Sequence, residues 1–412
     1  MRDGWARVPL GDVATQWVSP VTLEADHQYR NLGVRWYAEG TFLREPKRGS
    51  EIKAERLFRV QPGQFVYNRL FASEGSFALV DAADAEAVAS NEFPVFDLDA
   101  GRIVPEYLAL HFQQRAVWEQ VAAECTGTTK SRKRWKEAQF SAHRIGLPPI
   151  TEQRRIVDLI GALDDTITAA EGRRTAATAL QASVLQDSIM EAMGEEKPLD
   201  ALFSYVIGGS WGSAPGAEEA AVTALGTSAF TDARTEVEPS LGTLRSLSRK
   251  RADARTLQAG DIVLERSGGS PTQPVGRVIR MAEDAASVVP SDFMRLLRPN
   301  SEIVDPSFAF WLMWSSYEAG RAAPYQKFTT GIRNLNIPNY LANETIRVPS
   351  REEQQRISAL GDALLEDVRA ASAVRQSLED SRTELLSALL SGEHEIPAAY
   401  DELMGQASDA AA

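Results

Sequence analysis

The chain has 412 residues, 43% hydrophobic and 25% charged; that is a soluble globular balance and too much chain for one core, so two to four domains are expected. Its single cysteine, Cys125, excludes a disulfide framework and a thiolate metal site and suits a reducing cytoplasm. The start, MRDGWARVPLGDVATQW, lacks a run of signal-peptide length, and nowhere do eighteen uncharged apolar residues follow one another, so neither export nor a membrane span is expected.

The formal charge of −13 argues against a nucleic-acid partner until its distribution is considered. Four Arg stand against seven Asp or Glu between Glu152 and Glu191, and five Arg against nine between Arg351 and Glu393. The terminus adds Glu395, Asp401, Glu402 and Asp409. What is left is close to neutral and holds local basic clusters.

In chain order, short apolar or alternating runs such as QFVYNRLF and SFALVDA predict strands bounded by Gly, Pro and Asp turns. PEYLALHFQQRAVWEQVAAE predicts one amphipathic helix opening at Pro105. The basic run TGTTKSRKRWK (Thr126 to Lys136) follows, then LPPITEQRRI (Leu147 to Ile156) and a long helix without proline. From Lys197 the order repeats. VPLGDV (Val8 to Val13) is echoed by KPLDAL (Lys197 to Leu202), VQPGQFVYNR by LQAGDIVLER, SNEFPVF by PSDFMRLL, IVPEYLALHF by IVDPSFAFWL, and LPPITEQRRI by VPSREEQQRI (Val348 to Ile357). The offset drifts from 189 to 201 while the order never changes, as insertions in surface loops produce.

Two homologous halves follow. The fold expected is α+β: mixed α/β heads at 1–146 and 197–347, two long helical segments at 147–196 and 348–394, and an acidic, flexible tail at 395–412. Every seventh residue from Ile156 is Ile156, Leu163, Ala170, Ala177 and Val184, and from Ile357 it is Ile357, Leu364, Ala371, Leu378 and Leu385, with Ile160, Ile167, Leu180, Leu360, Val368 and Leu389 beside them. Such a stripe needs a partner, and an antiparallel coiled-coil pair supplies one; packing on the heads or oligomerisation are the alternatives. In the repeated phrase, proline stops the preceding strand, Thr151 or Glu352 is expected to cap the helix, and Glu152 or Glu353 sits in the first turn of its dipole.

The segment LPPITEQRRIVDLIGALDDTI with its echo VPSREEQQRISALGDALLEDV, each closing a domain of about 150 residues, resembles the specificity subunit of type I restriction-modification systems. TGTTKSRKRW and TTGIRNLNI also fit, the resemblance covers nearly the whole chain, and Ser350 departs from the Pro-Pro of the first half at Pro149. The resemblance implies a non-catalytic scaffold with two target-recognition domains related by an internal pseudo-twofold repeat, each reading half of an asymmetric bipartite site in double-stranded DNA. It further implies two methyltransferase subunits on the helices, restriction/translocase subunits joining for cleavage, and S-adenosylmethionine, ATP and Mg on those partners, with no cofactor on this chain. A two-headed subunit of another phage-defence complex and a self-sufficient adenine methyltransferase are the alternatives.

For the DNA contacts, Lys130, Arg132, Lys133, Arg134 and Lys136 come first, against the plain reading of a solvated charge run. Their counterparts in the second half are Lys327, Thr330, Arg333 and Asn334. Arg249, Lys250 and Arg251 form a second basic cluster that suits a phosphate-following loop or an ordinary exposed turn. IGGSWGSAPG (Ile207 to Gly216) lacks the Gly-Lys-Ser/Thr of a P-loop, but Gly208 and Gly209 could let backbone approach a duplex; Arg69 and Arg266 carry similar weight. DPSF (Asp305 to Phe308) comes within one residue of a methyltransferase motif, and its echo VPEY lacks the acid, so a proline-started turn accounts for both. His27, His111, His143 and His394 lack ligand spacing, and no metal is expected. Asp164-Asp165 and Glu366-Asp367 read as a solvated helix face.

Overall fold

Each long helix begins where proline stops a strand, because proline has no amide to offer a sheet and constrains the residue before it. Strand Arg144–Leu147 runs into Pro148-Pro149 and then helix Ile150–Glu191; strand Thr345–Pro349 runs into Ser350 and then helix Arg351–Ser391. These helices have 42 and 41 residues, about 60 Å each at 1.5 Å per residue. The computed structural model describes residues 4–54, 56–127, 133–230, 235–270, 273–329, 332–397 and 399–400. The chain divides into two compact units, 1–170 with 374–412, and 171–373.

In the first unit a four-stranded antiparallel sheet has the spatial order Phe77–Leu79, Phe65–Tyr67, Val95–Leu98, Ala14–Trp17. Phe65, Tyr67, Phe77 and Phe96 meet Phe112, Trp135 and Phe140, all at 1% exposure or less. The rings pack closely, with centroids 4.0 Å apart for the tilted pair Phe96 and Phe140 and 4.3 Å for the stacked pair Phe77 and Phe112, while Trp135 meets Tyr67 and Phe77 edge-on at 5.2 Å and 5.8 Å, a geometry that aromatic quadrupoles favour. Ala6–Pro9 pairs antiparallel with Arg144–Leu147, and the Leu10 amide donates to the His143 carbonyl at 2.8 Å. The beginning and end of the head therefore meet beside the helix start. Ile156 and Ile160, near that start, share a core with Leu386 and Leu389 from the end of the second long helix, so the two segments run antiparallel in this unit. Arg382 pairs with Asp164 and donates to Gln113 Oε1 at 2.8 Å.

The second unit repeats the plan. Its sheet has the order Val278–Arg280, Ile262–Glu265, Met294–Pro299, Phe203–Gly208, the counterpart, strand by strand, of the first. Gly194–Pro198 pairs with Thr345–Pro349, and the Leu199 amide donates to the Glu344 carbonyl at 2.9 Å. Leu185, from the end of the first long helix, shares a core with Ile357 and Leu365 from the start of the second, again antiparallel. The heads differ around the shared sheet. The second has a three-stranded sheet with strand Ala220–Leu225 parallel to Val288–Pro290, where the first keeps only a parallel bridge, Asn31 with Val88, among the described residues.

Several expectations are corrected. The single helix expected from Pro105 is two, Pro105–Phe112 and Arg115–Glu124, because Trp118 Nε1 donates to the Phe112 carbonyl at 2.5 Å, taking an acceptor that a continuing helix would use. Thr151 lies inside its helix; in the second half the cap is Ser350, whose Oγ accepts from the Glu353 amide at 3.3 Å. Leu180, assigned to the apolar stripe, is 57% exposed. Asp164 is not simply solvated, being the partner of Arg382. Ile396, within the expected tail, is buried in the first unit's core; 401–412 lie outside the described residues.

Candidate nucleic-acid interface

In each head an arginine just beyond the strand below the basic run anchors the next feature through its backbone. Arg69 follows strand Phe65–Tyr67; its carbonyl accepts from the Trp135 amide at 3.0 Å, and its amide donates to Glu92 O at 3.0 Å. Arg266 follows strand Ile262–Glu265; its carbonyl accepts from the Leu335 amide at 2.8 Å, and its amide donates to Phe293 O at 2.8 Å. The two basic runs therefore return to the same station in both heads. The first closes through paired Thr126 and Arg134 backbones, and the second is the hairpin Gln326–Thr329 with Ile332–Leu335.

Side chains at the two stations differ. In the first head Arg134 bonds Glu92 with both Nε and Nη2, at 3.0 Å and 3.2 Å, and Arg69 pairs with Glu137. Trp135 lies in the core, its Nε1 donating to Glu124 Oε2 at 2.9 Å. Lys133 and Lys136 stay exposed; Lys130 and Arg132 lie outside the described residues. In the second head Lys327 stands opposite Asn334, and Phe328 opposite Arg333. Lys327 is exposed, Arg333 donates to Ser270 O at 2.9 Å and lies over the Phe328 ring, and Asn334 Oδ1 accepts from Ser267 Oγ at 2.5 Å. Thr330 lies outside the described residues.

The glycine-rich loop is girdled by arginines, three of them from the stretch RSLSRKRADAR (Arg245 to Arg255) that holds the second basic cluster. Arg255 Nε donates to Gly208 O at 2.9 Å, Arg251 Nη2 to Ser210 Oγ at 2.6 Å, and Arg245 Nη2 to Gly212 O at 3.0 Å. Arg295 lies beside Gly208; burial and then the Arg266 charge hold its pKa below the usual guanidinium range, so both cations are crowded at one edge. The glycines themselves serve the fold: a Cβ on Gly209 would stand 2.1 Å from Ser291 O, an impossible contact. Arg249 and Lys250 are exposed on the adjoining helix Arg249–Asp253. Spacing could not single out Arg295, since a lone arginine in a strand carries no pattern.

Arginines that hold the head together are distinct from these. Arg277 pairs with the fully buried Glu265 at 2.7 Å and Arg298 with Asp261 at 2.7 Å. Asp305 Oδ1 caps helix Pro306–Glu318, accepting from the Ser307 and Phe308 amides at 3.0 Å and 3.2 Å, which gives DPSF a structural job. His111 and His143, far apart in sequence, meet at 3.1 Å, yet among the described residues no group of three or more His, Cys, Asp or Glu could hold a metal. Likewise, among these residues no helix is long and apolar enough to cross a membrane.

No family model and no curated protein matches the sequence. Among solved structures the chain is similar to one from a study of complex assembly and conformational transition of the type I R-M system, with TM-score 0.62 and 17% identity over 95% of this chain and 98% of that one. It is also similar to the HsdS subunit from Thermoanaerobacter tengcongensis (TM-score 0.47, 17% identity, 96% and 98% covered) and to the type I restriction-modification S subunit from M. genitalium (0.45, 13%, 95% and 97%). At such identities the likeness is one of fold. The fold of this chain is that of a component of the type I restriction-modification system.

Proposed function

We propose that the chain is the DNA-specificity subunit of a type I restriction-modification complex, acting in the cytoplasm. Each head reads one half of a bipartite site in double-stranded DNA, and because the two stations carry different side chains, the site is asymmetric. The paired helices serve as the ruler between half-sites and as the seat of two methyltransferase subunits, which restriction/translocase subunits join. The chain performs no chemistry; S-adenosylmethionine, ATP and Mg belong to the partners.

One observation carries this reading: Arg69 with Trp135, and Arg266 with Leu335, make the same backbone anchor under a basic segment in each of two heads. A shared frame with divergent side chains is what two recognition modules of different sequence preference require. Mapping methylated adenines in host genomes with and without the gene tests it. A non-palindromic, two-part motif should disappear with the gene, and an unchanged map would end the proposal. Incubating the purified chain alone with DNA and labelled S-adenosylmethionine should give no transfer; transfer would favour a self-sufficient methyltransferase. Co-purification with subunits unrelated to a methyltransferase would favour another defence complex.

A further inference from the structure

The turn at Arg35–Gly40 in the first head presents two exposed rings, Trp36 at 46% and Tyr37 at 58%. Its backbone is held where L side chains rarely go, with φ +59° at Tyr37 and +55° at Ala38. Such outliers persist only when their surroundings enforce them, and they gather at functional sites. Here the enforcement is visible. The Tyr37 amide donates to Glu74 O at 3.0 Å, the Ala38 amide to Gly75 O at 2.7 Å, and the Arg35 amide to Gly40 O at 2.9 Å. From beneath, Trp36 leans on Phe71 at 5.2 Å and Tyr37 on Trp118 at 5.9 Å between ring centroids.

The turn adjoins the first head's basic station. Phe71 lies two residues beyond Arg69, whose carbonyl anchors Trp135. Arg35 is exposed in the turn itself, and Arg44, Lys47 and Arg48 are exposed further along the segment that pairs back on Gln28 to Val34; none of the four forms an ion pair among the described residues. From Gln28 to Arg59 the sequence holds eight Lys or Arg against four Glu, a positive stretch in an acidic chain. Rings held out of the core at the end of a segment with unneutralised cations match a polyanion with flat apolar faces: phosphates for the cations, base pairs for the rings. A protein partner would explain the rings but not the charge.

We propose that the Trp36–Tyr37 turn contacts base pairs of the first half-site directly, its rings wedging against a base step while Arg35 and the arginines and lysines further along its hairpin follow the phosphates. This rests on the reading of the first head as a DNA-recognition domain and adds the element that does the reading. The turn would then set sequence preference rather than general affinity.

The test uses the full chain and duplexes that it selects from a random-sequence library. Trp36→Ala combined with Tyr37→Gly should bind the selected duplex about tenfold or more weakly, the scale of one lost base–aromatic stack. Binding to unselected duplex and the salt slope should stay unchanged. Tyr37→Gly alone keeps the test free of folding defects, since glycine takes a positive φ without strain: its melting temperature should hold or rise while selected-duplex affinity falls. Equal affinity of the double variant for the selected duplex would overturn the inference alone, as would intact DNA binding with loss of a co-purifying subunit. A wild-type chain that selects no duplex would overturn the recognition-domain reading and this inference with it.

Discussion

Gln354 Oε1 accepts the amide of Asp305 at 2.7 Å while its Nε2 donates to Pro349 O at 2.9 Å, so one side chain in the first turn of a long helix is bonded to the cap residue of a head helix. Gln153 repeats this, accepting from the Val104 amide at 2.8 Å and donating to Pro148 O and Arg102 O, each at 2.9 Å. This is why the phrase containing Glu-Gln occurs twice: the glutamine, 0% and 2% exposed in the two halves, is the buried joint between head and helix, whereas the glutamate beside it serves the helix dipole.

Replacing either glutamine by alanine is expected to destabilise its unit by about 1–3 kcal/mol for each buried group left unpaired. Gln354→Glu should cost more than a lost bond, because a carboxylate cannot donate to Pro349 O and its charge would be buried. Denaturant midpoints check this. A midpoint unmoved by Gln354→Ala would show that the joint contributes nothing.

Gly361 gives a second prediction. A Cβ there would stand 2.6 Å from the Trp311 ring, and Trp311 is fully buried, its Nε1 donating to Asp362 Oδ1 at 3.1 Å. At the corresponding positions the first half has Ile160 and Leu110, both in its core, so the halves have exchanged a large and a small side chain between helix and head. Gly361→Ala should destabilise by about 1–3 kcal/mol through overpacking. Gly161→Ala meets nothing within 4 Å and should stabilise by about 0.5–1 kcal/mol. Melting temperatures that move in the same direction would refute this packing difference.

These two cases mark how far the sequence could be read. The repeat, the proline stops, the α+β heads and the antiparallel helices follow from local pattern and period, because proline chemistry and heptad spacing act over a few residues. The pairing of Gln153 with Val104, or Gly361 with Trp311, spans about fifty residues and leaves no periodic trace. The candidate site was legible as charge density only. That reading put Lys133, Lys136, Lys327 and Arg134 on one footing, whereas the three lysines are exposed and Glu92, distant in sequence, engages Arg134. It gave no weight to Arg295 or the Trp36–Tyr37 turn, whose surroundings are set by what the fold brings beside them.

The His111–His143 contact predicts a pH response of the first unit. Burial, then the neighbouring imidazole, lowers His111 to about 3, and burial lowers His143 against the opposing pull of Glu124. Both rings are neutral in the fold, while the unfolded chain takes up protons below its ordinary value near 6.5. The unfolded state then binds more protons, so stability is complete above about pH 6.5 and declines as pH falls below it. Unfolding followed at several pH values should show this decline, and His111→Gln with His143→Gln should make it shallower. Equal slopes for variant and parent would assign the response to other groups.

The last prediction separates charges that face solvent from charges the fold consumes. Lys133, Lys136 and Lys327 are exposed, whereas Arg134 is tied to Glu92 at 3.0 Å. If the first three meet phosphate, each alanine substitution removes one released counterion and lowers the slope of log affinity against log salt by about 1, without changing the melting temperature. Arg134→Ala should behave differently: it leaves half-exposed Glu92 without its partner beside the Arg69 station, so the melting temperature should fall slightly along with affinity. Removing Glu92 as well distinguishes the two contributions, since Glu92→Gln with Arg134→Ala restores local charge balance and should recover the melting temperature but not the DNA affinity. Recovery of both would mean that Arg134 acts on DNA only through the fold.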